Sequence, residues 1–308
     1  MLASIDIGSN TVRLLIAEQT DHGLEPVRYD RRITRLAGDL CAQYGLHPDS
    51  MQRTLTALTE FRELCRSYDV TACQAVATAA FRHACNGQIF ANQISAQTSI
   101  PVAIISGEEE ARLTASGVLL ALTDSPENSL IFDIGGGSTE FIHLRNGQMQ
   151  WVDSLPLGVV RLSESRPSEP STLDTIKDQL SSLPDDLLRH AGAITLVGTA
   201  GTVTSLAAML MEMTCYDWRR INNAVLQRSS LADLHAKLKP MSPSQREALP
   251  GLEKGRGDLI LPGLQIVLVL LERFRSERLI VSDFGLLEGV ALQLTEGCSL
   301  TDFPSALN

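Results

Sequence analysis

The chain has 308 residues, which is enough for two domains of ordinary size with substantial hydrophobic cores. Its net charge is −10 and aromatic residues make up only 5% of it, which argues against a general nucleic-acid or membrane-surface binder. An anionic ligand is compatible with this charge, because backbone N–H groups, helix N-termini and one metal ion can build a phosphate site.

The N-terminal sequence predicts a β-hairpin. Residues 2–7 (LASIDI) and 12–18 (VRLLIAE) have the composition of strands, and the small polar residues GSNT form a tight turn between them. Gly8 gives this turn the backbone freedom that it needs. Further along, we expect a helix after Pro48, strands at 72–77 and 102–105, and a helix from Glu108 to Leu122 that begins beside Ser106.

The opening pattern returns in the middle of the chain. After the turn-rich residues 123–128, residues 129–134 (SLIFDI) predict a strand, 135–139 (GGGST) a turn and 140–144 (EFIHL) a second strand. DIGSNT at residue 6 is thus echoed by DIGGGST at residue 133. This repeat predicts two similar domains, 1–123 and 124–308, that face each other across a cleft.

A third small-residue turn follows later in the chain. Residues 194–197 (ITLV) predict a strand that ends at GTAGT, residues 198–202, and a helix follows. Near the end, LIVSDFG at 279–285 predicts a strand and a turn, and residues 286–294 predict a helix.

The three turns have the composition of phosphate sites. Glycine, serine and threonine allow close approach of a phosphate to backbone N–H donors, and GTAGT also precedes a helix N-terminus that favours anions. The candidate phosphate-binding residues are Gly8, Ser9, Asn10, Thr11, Gly135, Gly136, Gly137, Ser138, Thr139, Gly198, Thr199 and Gly201.

The carboxylates beside these turns imply a metal ion. Asp6 and Asp133 end the strands before the first two turns, and a carboxylate there repels phosphate unless a cation lies between them. Glu140 points toward the second turn if the hairpin is tight. We therefore expect Mg²⁺ with Asp133, Glu140 and Asp6 as candidate ligands.

Three adjacent glutamates occur in SGEEEA, residues 106–111. At a helix start they complement the helix dipole, which is a purely structural explanation. One of them, placed in an active-site cleft, would also be able to orient and deprotonate water. The residues alone leave both explanations open.

Seven segments in one order resemble a known family. They are ASIDIGSNTVRLLIAE, ATAAFRHA, IISGEEEARL, FDIGGGSTEFI, LPLGVVRLSE, LVGTAGTVTSLA and VSDFGLLEGV. Over essentially its whole length the chain resembles the exopolyphosphatase/guanosine pentaphosphate phosphohydrolase (Ppx/GppA) family. The resemblance implies an α/β fold of the duplicated, two-domain actin-like (ribonuclease H-like) kind, with the active site in the cleft between the lobes.

The resemblance also implies roles for single residues. In the family motif SGxEEA the glutamate before alanine is the catalytic base, which falls here on Glu110, and Glu109 has a supporting role. The carboxylates of DIGGGSTE, Asp133 and Glu140, are associated with the metal. The arginine of the AT-x-A-x-R motif falls on Arg82, which is implied to neutralise phosphate charge.

The chain also departs from the family pattern. Leu287 stands where many members have an arginine, and Asn222 and Asn223 replace a usual His-Gly pair. The helical domains of larger members do not follow before Asn308, so the resemblance does not imply a preference for very long phosphate chains.

The expected function is hydrolysis of the terminal phosphoanhydride of inorganic polyphosphate, with Mg²⁺ and a glutamate base. A guanosine pentaphosphate phosphohydrolase and a non-catalytic sensor of guanosine penta- or tetraphosphate are the alternatives, and an ATP-dependent small-molecule kinase is a rival on the same fold. We expect a cytoplasmic protein, a homodimer by default, and no nucleic-acid or membrane partner.

Two further groups of residues have mainly structural explanations. The cysteines Cys41, Cys65, Cys73, Cys85, Cys215 and Cys298 form no CxxC pair and are interpreted as small buried side chains. The dense basic stretch Arg28, Arg31, Arg32 and Arg35 either leads polyanions to the cleft or is a solvated strand edge.

Overall fold

The predicted N-terminal hairpin is the start of a five-stranded sheet. The computed structural model describes residues 1–21, 23–38, 44–163 and 171–295. These divide into two compact units, of which unit 1 comprises residues 1–117 and the segment from Gly285 onward, and unit 2 comprises residues 118–284.

The sheet of unit 1 has the strand order β3-β2-β1-β4-β5, in which β1 pairs antiparallel with β2 and parallel with β4. Its strands are β1 (Leu2–Ile7), β2 (Thr11–Thr20), β3 (Gly23–Ile33), β4 (Ala72–Ala77) and β5 (Val102–Ile104). Its first helices are α1 (Pro48–Ser67), α2 (Ala79–His83), α3 (Gly87–Thr98) and α4 (Gly107–Ala121), the last of which continues across Gly117 into unit 2.

Unit 2 repeats this topology. Its sheet has the order β10-β11-β9-β6-β7-β8. Here β8, β7, β6, β9 and β11 correspond in order to β3, β2, β1, β4 and β5 of unit 1, since β6 pairs antiparallel with β7 and parallel with β9, and β9 pairs parallel with β11. Strand β10 is added at the edge, antiparallel to β11. The strands are β6 (Asn128–Ile134), β7 (Thr139–Arg145), β8 (Gln148–Leu155), β9 (Thr195–Thr199), β10 (Val225–Gln227) and β11 (Arg278–Val281). This duplication in two α/β units is the predicted actin-like architecture.

The helices of unit 2 surround a core that is built mainly from leucine, isoleucine and valine. They are α5 (Val159–Ser163), α6 (Thr172–Leu180), α7 (Asp185–Arg189), α8 (Ala200–Leu210), α9 (Trp218–Ile221), α10 (Arg228–Leu238), α11 (Pro243–Glu247) and α12 (Ile260–Arg273). Among the residues that the structure describes, no helix has both the length and the apolar character needed to cross a membrane.

The last described helix, α13 (Leu286–Thr295), belongs to unit 1, whereas the sequence placed everything after residue 123 in a second domain. One group of its apolar side chains, including Val290, packs with Val76 of β4 and Leu113 of α4. Another group includes Leu287, which is 6% exposed and packs with Leu15 of β2. Burial of these side chains explains both the location of α13 and the leucine at position 287.

The contact between α4 and α13 depends on the absence of side chains. A Cβ atom added at Gly289 would overlap the carbonyl oxygen of Leu113, and one at Gly117 would overlap the carbonyl oxygen of Gly285. Both glycines therefore permit an approach of the two backbones that any larger residue would prevent.

Two structural interpretations of the sequence have different outcomes. Cys65 is buried and packs with Cys73, but Cys85 and Cys215 are exposed, so the prediction of burial was wrong for these two; Cys41 and Cys298 lie outside the described residues. Three arginines of the basic stretch, Arg28, Arg31 and Arg32, lie within edge strand β3. Arg28 pairs with Asp30, and Arg32 pairs with Asp30 and Glu60. These acidic partners favour the solvated strand edge over a polyanion guide.

We predict that Gly289→Ala lowers the free energy of unfolding by about 1–3 kcal/mol, the usual cost of forcing an extra methyl group into a packed contact. Urea unfolding followed by circular dichroism measures this change. Gly192→Ala is the matched control, because a Cβ at Gly192 meets nothing within 4 Å. Equal stability of both variants would contradict the close helix contact.

Candidate functional site

The turn of the first hairpin is closed by one backbone hydrogen bond. The Gly8 N–H donates to the Thr11 carbonyl oxygen at 3.1 Å, which leaves Ser9 and Asn10 exposed at the tip. The carbonyl oxygen of Asn10 accepts from the N–H groups of Thr34 and Arg35 at 3.0 and 2.9 Å. The backbone of this turn is therefore fixed by the segment that follows β3.

Asp6 lies beneath this turn and faces Arg13 across the hairpin. Its carboxylate is buried against Gly8, and its Oδ2 accepts from Nε and Nη2 of Arg13 at 2.9 and 2.8 Å. Its Oδ1 is buried and has no hydrogen-bond partner in the structure. Such an atom needs water or a cation, so Asp6 keeps one oxygen that is suited to a hydrated metal ion.

The predicted catalytic base lies in the first turn of α4. Ser106 caps this helix, because its hydroxyl accepts from the Glu109 N–H at 3.1 Å. Arg82, in α2, donates from Nη1 to Oε2 of Glu110 at 2.8 Å and to the carbonyl oxygen of Ile105 at 2.9 Å. The guanidinium thus holds the carboxylate in one orientation. This ion pair between Arg82 and Glu110 was not predicted from the sequence.

Both members of this ion pair remain accessible, with about a quarter of each side chain exposed (26% for Arg82 and 25% for Glu110). Glu109 is half-buried beside them, and Glu108 is exposed. An accessible carboxylate with a fixed orientation has the geometry that a general base for water requires.

The second hairpin turn has the same closure as the first. The Gly135 N–H donates to the Ser138 carbonyl oxygen at 2.9 Å. The carbonyl oxygen of Gly136 accepts from the Val160 N–H at 2.9 Å, so the start of α5 fixes this turn. Gly158 lies directly against Gly136, and a Cβ at Gly158 would overlap the carbonyl oxygen of Gly136.

Asp133 and Glu140 face each other across this hairpin, in the register that Asp6 and Arg13 occupy in the first. The Oε1 atom of Glu140 accepts from the hydroxyl groups of Ser138 and Ser154 at 2.5 and 2.8 Å. Two carboxylates opposite each other repel, and a cation removes that repulsion.

Their oxygen donors fit Mg²⁺. This ion is usually bound by one or two carboxylates, water and substrate phosphates rather than by an all-protein cage. The described ranges contain no cluster of three or more His, Cys, Asp or Glu side chains arranged to hold a metal, so Asp6 does not form such a cluster with Asp133 and Glu140.

The third turn joins β9 to α8. Ala200, the first residue of α8, has φ +61°, a backbone conformation that is costly for a residue with a side chain. The hydroxyl of Thr199 donates to the Phe284 carbonyl oxygen at 2.9 Å, and that of Thr202 donates to the Ile134 carbonyl oxygen at 3.1 Å. These bonds fix the strained turn in place.

Two of the predicted phosphate-binding threonines have buried hydroxyl groups. Thr139 donates to the carbonyl oxygen of Leu157, as Thr199 does to that of Phe284. Their side chains hold the turns together, and only their backbone groups remain as candidates for phosphate contact.

Arg256 is the candidate functional residue that sequence reasoning missed. Its guanidinium lies over Gly201, where any Cβ atom would overlap it. It also contacts Glu253 through Nε at 3.1 Å and the hydroxyl of Ser205 through Nη1 at 3.5 Å. A cation over the N-terminus of α8 is suited to phosphate, but a single arginine in a loop gave no pattern that identified it.

The model of the Ppx/GppA phosphatase family matches residues 15–296. The chain belongs to the Ppx/GppA phosphatase family. It is 32% identical to exopolyphosphatase 2 of Mycobacterium tuberculosis, an alignment that covers 95% of this chain and 98% of that protein. It is also 31% identical to a bifunctional 3-dehydroquinate synthase/phosphatase of Fusobacterium nucleatum, over 96% of this chain and 46% of that protein.

Solved structures agree with this membership. The Ppx/GppA family member of Aquifex aeolicus has a TM-score of 0.81 and 33% identity, covering 97% of this chain and 99% of that one. An exopolyphosphatase of Cytophaga hutchinsonii, 24% identical, has a TM-score of 0.84, covers 97% of this chain and 98% of that one, and supports the fold. The predicted family, the predicted fold and the expectation of a phosphoanhydride hydrolase are confirmed.

We predict that Glu140→Gln raises the Mg²⁺ concentration needed for half-maximal phosphate release. Loss of one carboxylate removes charge that balances the cation. We expect the required Mg²⁺ concentration to rise about tenfold or more, because even replacing a residue that only hydrogen-bonds to a metal ligand typically costs about 10–100-fold in metal affinity or activity. Phosphate release is measured across a Mg²⁺ titration.

The matched control is Glu127→Gln, an exposed glutamate of the same unit. An unchanged Mg²⁺ requirement in Glu140→Gln, with the control also unchanged, would remove Glu140 from the metal site.

Proposed function

We propose that this protein is an exopolyphosphatase that hydrolyses the terminal phosphoanhydride of inorganic polyphosphate. The observation that carries the proposal is the Glu110 carboxylate, which is accessible in the first turn of α4 and oriented by Arg82 at 2.8 Å. Family membership supports the reaction class, and the relative in M. tuberculosis is named an exopolyphosphatase.

In this mechanism water attacks the terminal phosphorus in line with the bond to the chain. Glu110 orients the water and accepts its proton as the new P–O bond forms. The P–O bond to the bridging oxygen breaks, and the shortened polyphosphate leaves with that oxygen. The protein contributes position and electrostatics, which is what phosphoryl transfer mainly requires.

The turns bind the phosphates in this proposal. The small-residue turns at residues 8–11 and 135–138 offer backbone N–H groups, and Arg256 adds a cation at the N-terminus of α8. Asp133 and Glu140 would hold Mg²⁺ in unit 2. When bound, Mg²⁺ neutralises charge on the phosphoryl oxygens.

Hydrolysis of guanosine pentaphosphate is the second candidate function. Its terminal bond is the same phosphoanhydride, and the family that the chain belongs to is named for both activities. A non-catalytic sensor would instead bind the nucleotide without turnover.

We predict that Glu110→Gln lowers the rate of phosphate release from medium-length polyphosphate by about 10³-fold, the loss expected for a positioned general base. The amide keeps the shape of the side chain but accepts no proton from water. Phosphate release is measured with Mg²⁺ for polyphosphate and, in parallel, for guanosine pentaphosphate.

Glu108→Gln is the control, because Glu108 is exposed in the same helical turn and has no part in the mechanism. Rapid phosphate release by Glu110→Gln would refute the assignment of the base. Folded, Mg²⁺-supplied wild-type protein that releases phosphate from neither substrate would refute the hydrolase proposal itself.

A further inference from the structure

We define the aromatic patch as Tyr216, Trp218 and Arg219, three residues close together in the sequence at the start of α9. The Tyr216 side chain is 54% exposed. The Trp218 ring packs on that of Phe284 with centroids 5.1 Å apart, and the Arg219 guanidinium lies 4.5 Å from the Trp218 ring centroid. The Tyr216 ring is therefore the accessible face of the patch.

The Tyr216 ring is held in a fixed position. Its hydroxyl donates to the carboxylate of Asp283, whose own N–H donates to Oδ1 of Asn222 at 2.6 Å. Burial around the hydroxyl, and then the charge of Asp283, raise the pKa of Tyr216, so the hydroxyl stays protonated and keeps donating. An anchored aromatic ring loses little entropy when a ligand packs on it.

The patch adjoins the phosphate turn of the same unit. Asp283, which accepts from the Tyr216 hydroxyl, lies between Ser282, whose N–H donates to the Gly198 carbonyl oxygen at 2.9 Å, and Phe284, whose carbonyl oxygen accepts from the Thr199 hydroxyl at 2.9 Å. Gly198 and Thr199 belong to GTAGT, so the ring is anchored beside the phosphate turn.

A second connection runs through the loop before α12. Glu253 is close enough to act electrostatically on Tyr216, and it pairs with Arg256 at 3.1 Å. Arg256 lies over Gly201. A ligand with phosphates at Gly201 and Arg256 thus has an exposed aromatic ring within the same continuous cluster of side chains.

We propose that Tyr216 is a stacking platform for the nucleobase of a nucleoside polyphosphate whose phosphates bind at the Gly198–Thr202 turn. The proposal rests on the proposed phosphohydrolase function and assigns a base-binding residue for its second candidate substrate, guanosine pentaphosphate. Inorganic polyphosphate has no group that stacks on a ring, whereas every nucleobase has one. Tyr216 then separates the two substrate classes.

Equilibrium binding tests this assignment without depending on turnover. Glu110→Gln protein with Mg²⁺ is titrated with guanosine pentaphosphate and with tripolyphosphate by calorimetry. Adding Tyr216→Ala is expected to lower the affinity for guanosine pentaphosphate about tenfold, which is within the range measured for loss of one stacked base. The affinity for tripolyphosphate is expected to stay the same, so the ratio of the two affinities falls by the same factor.

Two further variants at the position separate stacking from folding. Tyr216→Leu keeps bulk without an aromatic face and is expected to lose affinity as alanine does, whereas Tyr216→Phe keeps the ring and most of the affinity. Tyr44→Ala is the matched control, because Tyr44 is an exposed tyrosine of unit 1. This control is expected to leave the affinity for both ligands unchanged.

Equal weakening of both ligands by Tyr216→Ala and Tyr216→Leu would overturn the proposal and assign the ring a structural role. Binding of guanosine pentaphosphate that is insensitive to these variants, or absent, would also overturn it. Either result leaves phosphate release from polyphosphate by the wild type intact, so failure of the platform is distinguishable from failure of the hydrolase function.

Discussion

One backbone hydrogen bond in each unit sets the positions of the residues assigned to chemistry. The Gly8 N–H bonds to Thr11, and the Gly135 N–H bonds to Ser138, so both turns have the same length and both hairpins the same register. That register places the seventh residue after each aspartate directly opposite it. Because side chains alternate between the faces of a strand, a shift by one residue would move every one of these groups to the wrong face of its sheet. The carboxylates, the turn amides and the buried cores behind them all depend on this spacing.

The two copies of the hairpin have diverged in charge at this single position. Arg13 neutralises one oxygen of Asp6 in unit 1, whereas Glu140 adds a second negative charge beside Asp133 in unit 2. The first arrangement is a partly buried ion pair that needs at most one further ligand. The second places two carboxylates of like charge in one cross-strand pair, whose repulsion a bound cation would reduce. The two hairpins thus share one backbone frame, and the charge of the cross-strand partner differs between them: arginine in unit 1 and glutamate in unit 2.

Features encoded in contiguous residues were predictable from the sequence, and features formed by distant residues were not. The two hairpins, the helix that carries Glu110 and the glycine turns follow from local turn and helix signals, and the ordered motifs identified the family. The contact of Arg82 with Glu110, the guanidinium of Arg256 over Gly201 and the packing of α13 on unit 1 arise from tertiary structure. Asn223 is a further example. Its backbone has a φ of +64°, which asparagine tolerates better than most residues, and its side chain bonds to the backbone of residues 121 and 123. Neither feature was visible in the sequence.

The location of α13 in unit 1 has a consequence for synthesis on the ribosome. Unit 2 is one continuous segment, residues 118–284, and all of it emerges before the helix that completes unit 1. Until then, Leu15 and Val76 of the first sheet lack the apolar partners that α13 provides. Unit 1 is therefore the first to be started and the last to be completed, and part of its apolar sheet surface stays uncovered while unit 2 is being made.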